Sequence, residues 1–150
     1  MFNALHANHD GHLYRVYAAG RGEIADLVRQ HLLESATSDD GSLAFWFTPS
    51  RHPSHTRANR IATELLLLAT GGLTARQVPL LRGDIVITGN DAHGDPADLT
   101  SQQMTHLVNS APTHRQDWTL SRRFARDERR RRRSLRMDNA ARTDRILRPW

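Results

Sequence analysis

The chain has no cysteine and no lysine among its 150 residues. Without cysteine there is no disulfide to staple a small fold and no thiolate to hold a metal. Without lysine, all 21 basic residues are arginine. Genome base composition alone can cause that, so information lies in where the arginines stand. Glycine and proline are sparse, 9 and 6 residues, which argues for a folded domain with a polar appendage rather than a disordered chain. No apolar run approaches the roughly 20 residues that span a bilayer. The longest, Leu65 to Ala69, suits a buried helix. The N-terminal stretch "MFNALHANHDGH" lacks the basic start and long apolar centre of a signal peptide, so a cytoplasmic protein with no membrane contact is expected.

Charge is divided unevenly. Met1 to Leu120 carries 9 Arg against 12 acids, a net of −3, whereas Ser121 to Trp150 carries 12 Arg against 4 acids, a net of +8. A mildly acidic body therefore ends in a strongly basic segment.

Periodicity gives the body an α+β reading. "HLYRVYAA" (12–19) alternates as a strand, and Ile24, Leu27, Val28 and Leu32 repeat at helical spacing over Glu23 to Leu33. "ESATSDDGS" has loop chemistry, with Asp40-Gly41 marking a turn. "LAFWFT" (43–48) reads as a buried strand. Ala58, Ile61, Ala62, Leu65, Leu66 and Ala69 form the stripe of a helix stopped by Gly71-Gly72. "LTARQV" opens with Thr74 and Gln77 at capping-box spacing but reaches Pro79 at once, so only a turn of helix is expected, with a short strand possible at Val78 to Leu81. "DIVIT" (84–88) is a strand, and Thr100 with Gln103 caps a helix over Ser101 to Asn109. A small sheet of three or more strands with helices on one face follows. The expected organisation is a flexible terminus over 1–12, a domain over 13–111, a linker over 112–119 and an Arg-rich helical tail over 120–150.

Two segments carry a family resemblance. "NRIAT" holds Asn59, Ala62 and Thr63, and "GDIVITGNDAHGDPADL" holds Gly83, Asp84, Gly89, Asp91 and Gly94. In this order they resemble the DUF3846-like domain, an uncharacterised family met mainly in phages, plasmids and actinobacterial or firmicute genomes. The likeness covers about residues 14 to 108. It implies an accessory domain of mobile-element type and brings no catalytic residues with it.

Chemistry is hard to place in the body. Asp91, His93 and Asp95 could offer oxygen and nitrogen to a cation, which makes a metal-dependent enzyme one reading. An EF-hand starting at Asp91 would need Gly at 96 and Glu at 102, where Pro and Gln stand. A turn between strand and helix explains the loop without a metal. His6, His9 and His12 recur every third residue and His52 and His55 sit in a proline-rich loop, but no HExxH motif is present. "AAGRGE" lacks the third glycine of a dinucleotide loop and the lysine of a P-loop. No cofactor is called for, and an enzyme is the less favoured class.

The basic segment is the stronger feature. No Pro or Gly interrupts Leu120 to Arg148, and Asp127, Glu128, Asp138 and Asp144 each precede an arginine by four residues: Arg131, Arg132, Arg142 and Arg148. That is a helix sequence. Five successive arginines point around the whole axis, so the run from Ala125 to Ser134 has no face to bury. The expected function is a non-specific grip on the phosphates of DNA or RNA by Arg122, Arg123, Arg126, Arg129, Arg130, Arg131, Arg132, Arg133 and Arg136. Trp118, Phe124 and Trp150 flank the run without interleaving it, which argues against base stacking as the main attraction. Two alternatives use the same arginines: docking on an acidic protein, or self-association through the helix, with Leu135, Ile146, Leu147 and Trp150 as apolar contacts. A solvated arm with no ligand is the bland explanation.

Overall fold

The computed structural model describes residues 1–147. Six strands form one antiparallel sheet: β1 (Phe2–Ala7), β2 (Leu13–Ala18), β3 (Glu34–Thr37), β4 (Leu43–Phe47), β5 (Ile85–Asn90) and the two-residue β6 (Pro96–Ala97). Their order is β2-β1-β5-β4-β3, with β6 continuing the β1 side of β5. Four helices complete the fold: α1 (Arg21–Val28), α2 (Arg60–Ala69), α3 (Ser101–Asn109) and α4 (His114–Leu147). The class is α+β, and no described helix is long and apolar enough to cross a membrane.

The helices divide between both faces of the sheet rather than sharing one. Alternation along the strands explains why. Leu5, Leu43, Phe45, Ile85 and Ile87 turn toward α2, α3 and the start of α4, where Leu65, Leu66, Leu107 and Leu120 meet them. The intervening Ala4, Ala44, Trp46 and Val86 turn the other way and are covered by Ile24 and Val28 of α1. Trp46 Nε1 donates to Thr88 Oγ1 at 2.9 Å, so the indole is buried without orphaning its donor.

Residues 1–12 are the main correction. The expected mobile terminus contains β1, a central strand paired with β2 on one side and β5 on the other. Because both faces are covered, it shows no clean polar–apolar alternation, and its buried positions are two alanines and one leucine. Glu34 to Thr37, expected as loop, is the edge strand β3; its exposed sequence keeps the edge polar. Between β3 and β4, Asp40 accepts from Ser38 Oγ, Ser42 N and Ser42 Oγ at 2.7–3.0 Å. Those bonds, led by the Ser42 backbone amide, hold its carboxyl down at about 2, well below the ordinary value. An NMR titration is expected to show Asp40 still ionised at pH 3; an ordinary carboxylate midpoint would mean the turn does not persist in solution.

Helix α1 ends earlier than its apolar spacing suggests. Arg29 takes the left-handed conformation at φ 66°, and residues 30–33 leave the helix. The capping box at Thr100 and Gln103 forms as expected. Residues 74–81 make turns but no strand, apart from an isolated bridge between Ala58 and Arg82. The expected linker over 112–119 is largely the first turns of α4, so the basic helix grows directly out of the body.

Candidate nucleic-acid interface

A second capping box starts α4. Thr113 Oγ1 accepts from Gln116 N at 3.2 Å and Gln116 Oε1 accepts from Thr113 N at 2.8 Å. The helix then has two halves. Leu120 is fully buried, Phe124 packs against the main core, and the partly buried positions continue through Asp127, Glu128, Arg131 and Leu135. From Arg136 to Ile146 every residue is exposed.

Polar contacts fix the first half. Arg60 of α2 donates to Asp117 at 2.7 Å and Ser121 at 2.8 Å, with its guanidinium 5.4 Å over the Phe124 ring. Arg82 meets Asp127 with both Nη atoms, at 2.9 and 2.7 Å, and these bonds raise its pKa further. Arg123 turns inward and donates to the carbonyls of Ala75 and Val78 at 2.8 and 2.7 Å. Burial lowers its pKa from the ordinary arginine value, and its bonding to backbone oxygens makes it a dock for α4 rather than a phosphate ligand.

The other eight arginines expected to bind phosphate lie as follows. Arg131 and Arg132 share one acid, Glu128, at 3.5 and 3.2 Å. Asp127 does not serve Arg131, because Arg82 of the body takes it. Arg148, and with it the expected Asp144–Arg148 pairing, and Trp150 lie outside the described residues. Arg122 stands 4.8 Å over the Trp118 ring, and Trp118 is itself 57% exposed. Among the described residues, Arg126, Arg129, Arg130, Arg133 and Arg136 have no carboxylate within 4.0 Å. Opposite the docked stripe, Arg115, Arg122, Arg129 and Arg136 recur every seven residues, about 20° short of two full turns each time. Arg126 and Arg133 fall beside them. A line of six guanidinium groups therefore runs along the solvent side of α4 for roughly 32 Å, taking 1.5 Å per residue. The spacing was present in the sequence, but which side faced solvent depended on the docking of Leu120 and Phe124.

The residues of the family-like motifs organise the fold. Asn59 Oδ1 accepts from Ala62 N, capping α2, while Nδ2 donates to the carbonyls of Ala7, Asn8 and Gly83 at 2.9–3.3 Å. Thr63 Oγ1 donates to Asn59 O and accepts from Leu81 N. Ala62 is fully buried against the sheet. Gly83 adopts φ 74° against the His55 backbone, and a side chain at Gly89 would strike the Asp98 carbonyl. Asn59→Ala is expected to cost roughly 2–3 kcal/mol in urea unfolding, from the lost cap and buried carbonyls left without a donor. A loss under about 0.5 kcal/mol, the level of a neutral surface change, would contradict this role.

The loop at Asp91 to Asp98 is a hairpin turn. Asp91 Oδ1 accepts from His93 N and Asp95 N at 2.8 and 2.9 Å, Gly94 sits at φ 78°, Asp95 pairs with Arg21 at 2.9 Å, and Asp98 accepts from Asn3 N at 2.8 Å. Loop amides thus engage one oxygen of the metal candidate Asp91 and Arg21 of α1 one oxygen of Asp95, while His93 is exposed. Among the described residues no group of three or more His, Asp or Glu is placed to hold a metal ion.

A polar cluster not anticipated from sequence lies at the start of β5. Asp84, 2% exposed, receives Arg29 Nε at 2.8 Å on one oxygen; His9 N at 3.0 Å and His9 Nδ1 at 3.1 Å approach the other, with His6 Nε2 at 3.4 Å. Burial opposes its charge, but the contacts with His6, His9 and Arg29 outweigh burial and hold the carboxyl well below the ordinary range. Nearby His55 is also buried, with Nδ1 unpartnered, and desolvation followed by the Arg29 charge lowers its pKa. A histidine kept neutral in the fold binds its proton more readily when unfolded, so stability is lost as pH falls through about 6.5, the unfolded value. Asp84, depressed in the fold, adds a loss at more acid pH, below the ordinary carboxylate value. Melting temperature is expected to drop between pH 7 and 5, and His55→Gln should flatten that interval. An equal drop in the variant would assign the acid sensitivity elsewhere.

No family model, curated protein or solved structure matches the chain.

Proposed function

We propose that the chain is a non-enzymatic accessory protein that binds the phosphate backbone of DNA or RNA without sequence preference, using the solvent side of α4. The accessory role of mobile-element type belongs to this proposal and rests on the DUF3846-like resemblance of the segments at Asn59 and Gly83. The observation that carries the binding reading is the line of six arginines, Arg115, Arg122, Arg126, Arg129, Arg133 and Arg136, opposite a docked stripe that absorbs the helix's other demands. Helix α4 holds twelve arginines against five acids, a net of +7, and three of those acids, Asp117, Asp127 and Glu128, already serve Arg60, Arg82, Arg131 and Arg132. Phosphates along a duplex present one charge per roughly 1.7 Å of axis, so a 32 Å row of cations meets many of them at any sequence.

Changing all six to glutamine, a good helix former, preserves the docked side and removes the row. Fluorescence anisotropy with unrelated DNA and RNA sequences should show binding by the native chain and only weak residual binding by the variant, with unchanged helicity by circular dichroism. Arg123→Gln should instead lower stability while leaving the affinity of folded protein within about twofold, because that side chain serves the body. Retained affinity in the six-residue variant would reject the assignment. An acidic protein partner would use the same arginines; native chain that ignores nucleic acid yet captures a polyglutamate chain would favour that alternative.

A further inference from the structure

Beyond Asp127, α4 and the body enclose a cleft of about 570 Å³, within the size range of small-molecule sites. Apolar side chains dominate the walls: Phe47, Pro49, Pro79 and Leu80 from the body, Leu135 from α4, with buried Leu81 also contributing. The charges are lopsided. Arg82 and Asp127 neutralise each other across the cleft. That leaves Arg51, Arg130 and Arg131 against Asp138, so positive charge remains in surplus even with Arg131 Nη1 3.5 Å from Glu128. Arg131 Nε is buried with no acceptor. A buried donor of this kind favours any oxygen that can reach it.

We infer that this cleft binds a small anion with an apolar body, of the acyl carboxylate class, its chain against Phe47, Leu80 and Leu135 and its carboxylate at Arg130 and Arg131. Charge complementarity selects this occupant over a neutral one. The proline and leucine walls select it over bare phosphate, which would gain nothing from them. Since the cleft spans body and helix, an occupant also braces the exposed half of α4.

Dodecanoate is the probe, titrated calorimetrically into the full chain below its micelle concentration, with dodecanol and acetate as controls. One dodecanoate should bind per chain; acetate should not bind at the same concentrations. Arg130→Gln with Arg131→Gln should weaken dodecanoate by about tenfold or more, as expected for a charge-assisted bond, and leave dodecanol unchanged. Ser134→Trp, an exposed helix position lining the cleft, should block dodecanoate while leaving the melting temperature unaltered. Uptake undiminished by Ser134→Trp would overturn the proposal, as would dodecanol binding as tightly as dodecanoate. So would a native chain that binds no dodecanoate, or one whose only Ser134-dependent property is self-association.

Discussion

Raising salt from about 50 to 200 mM is expected to weaken the complex of this chain with a DNA duplex by roughly 10³-fold. The magnitude follows from the six outward arginines of α4. Each phosphate neutralised releases counterions, and the logarithm of affinity falls by about 0.9 per phosphate for each decade of salt, giving a slope near −5 for six contacts. Arg123 is left out of this count because it donates to Ala75 and Val78. Arg131 and Arg132 are left out because Glu128 lies within 3.5 Å of both. Permuting the DNA sequence should change affinity by less than the roughly 1–3 kcal/mol of a single base-specific contact. Competition between duplexes of different sequence at fixed salt checks that point. A slope close to zero with retained binding would mean that apolar contacts, not these guanidinium groups, hold the nucleic acid.

Asp84→Ala is expected to destabilise the fold by roughly 3 kcal/mol, measured by urea unfolding at pH 7. The carboxylate is almost fully buried, and its removal strands the charge of Arg29 and the His9 backbone donor. The figure sits at the lower end for a broken buried pair because the Arg29 and His9 side chains remain 46% and 39% exposed, where solvent screens part of the interaction. The contacts join the end of β1, the end of α1 and the start of β5, so the loss should appear as a lowered midpoint of one cooperative transition. Nucleic-acid affinity of the folded variant should stay native, since Asp84 makes no contact with α4. A variant within about 0.5 kcal/mol of the native chain, as for a neutral surface change, would show that the cluster does not stabilise the fold.

Elements with a strong local signal were legible in the sequence. Helix α2 carries a full apolar stripe closed by two glycines, and α3 opens on a capping box that forms as written. Strand β1 was hidden by its position: buried on both faces, it needs small residues where it meets its neighbours, and its one histidine, His6, faces Asp84. Strand β3 was hidden for the opposite reason, since an edge strand with exposed faces is written in loop-like residues. Charge segregation onto the last helix could be read directly. Its division of labour could not, because Arg123 and Asp127 become structural only through Ala75, Val78 and Arg82, all about 45 or more residues earlier in the chain. The Thr113–Gln116 cap was visible at the spacing seen twice before, and it places the helix start inside what composition marked as a linker.

Nucleic-acid binding through α4 requires the guanidinium groups along its solvent side to be unoccupied by the protein's own acids. The most direct measurement compares salt slopes for the native chain and the variant with all six outward arginines changed to glutamine, on one duplex. A difference of about five in slope, about 0.9 for each of the six arginines removed, is the predicted result. Equal slopes in the two proteins would place the ionic contacts on another surface and contradict it.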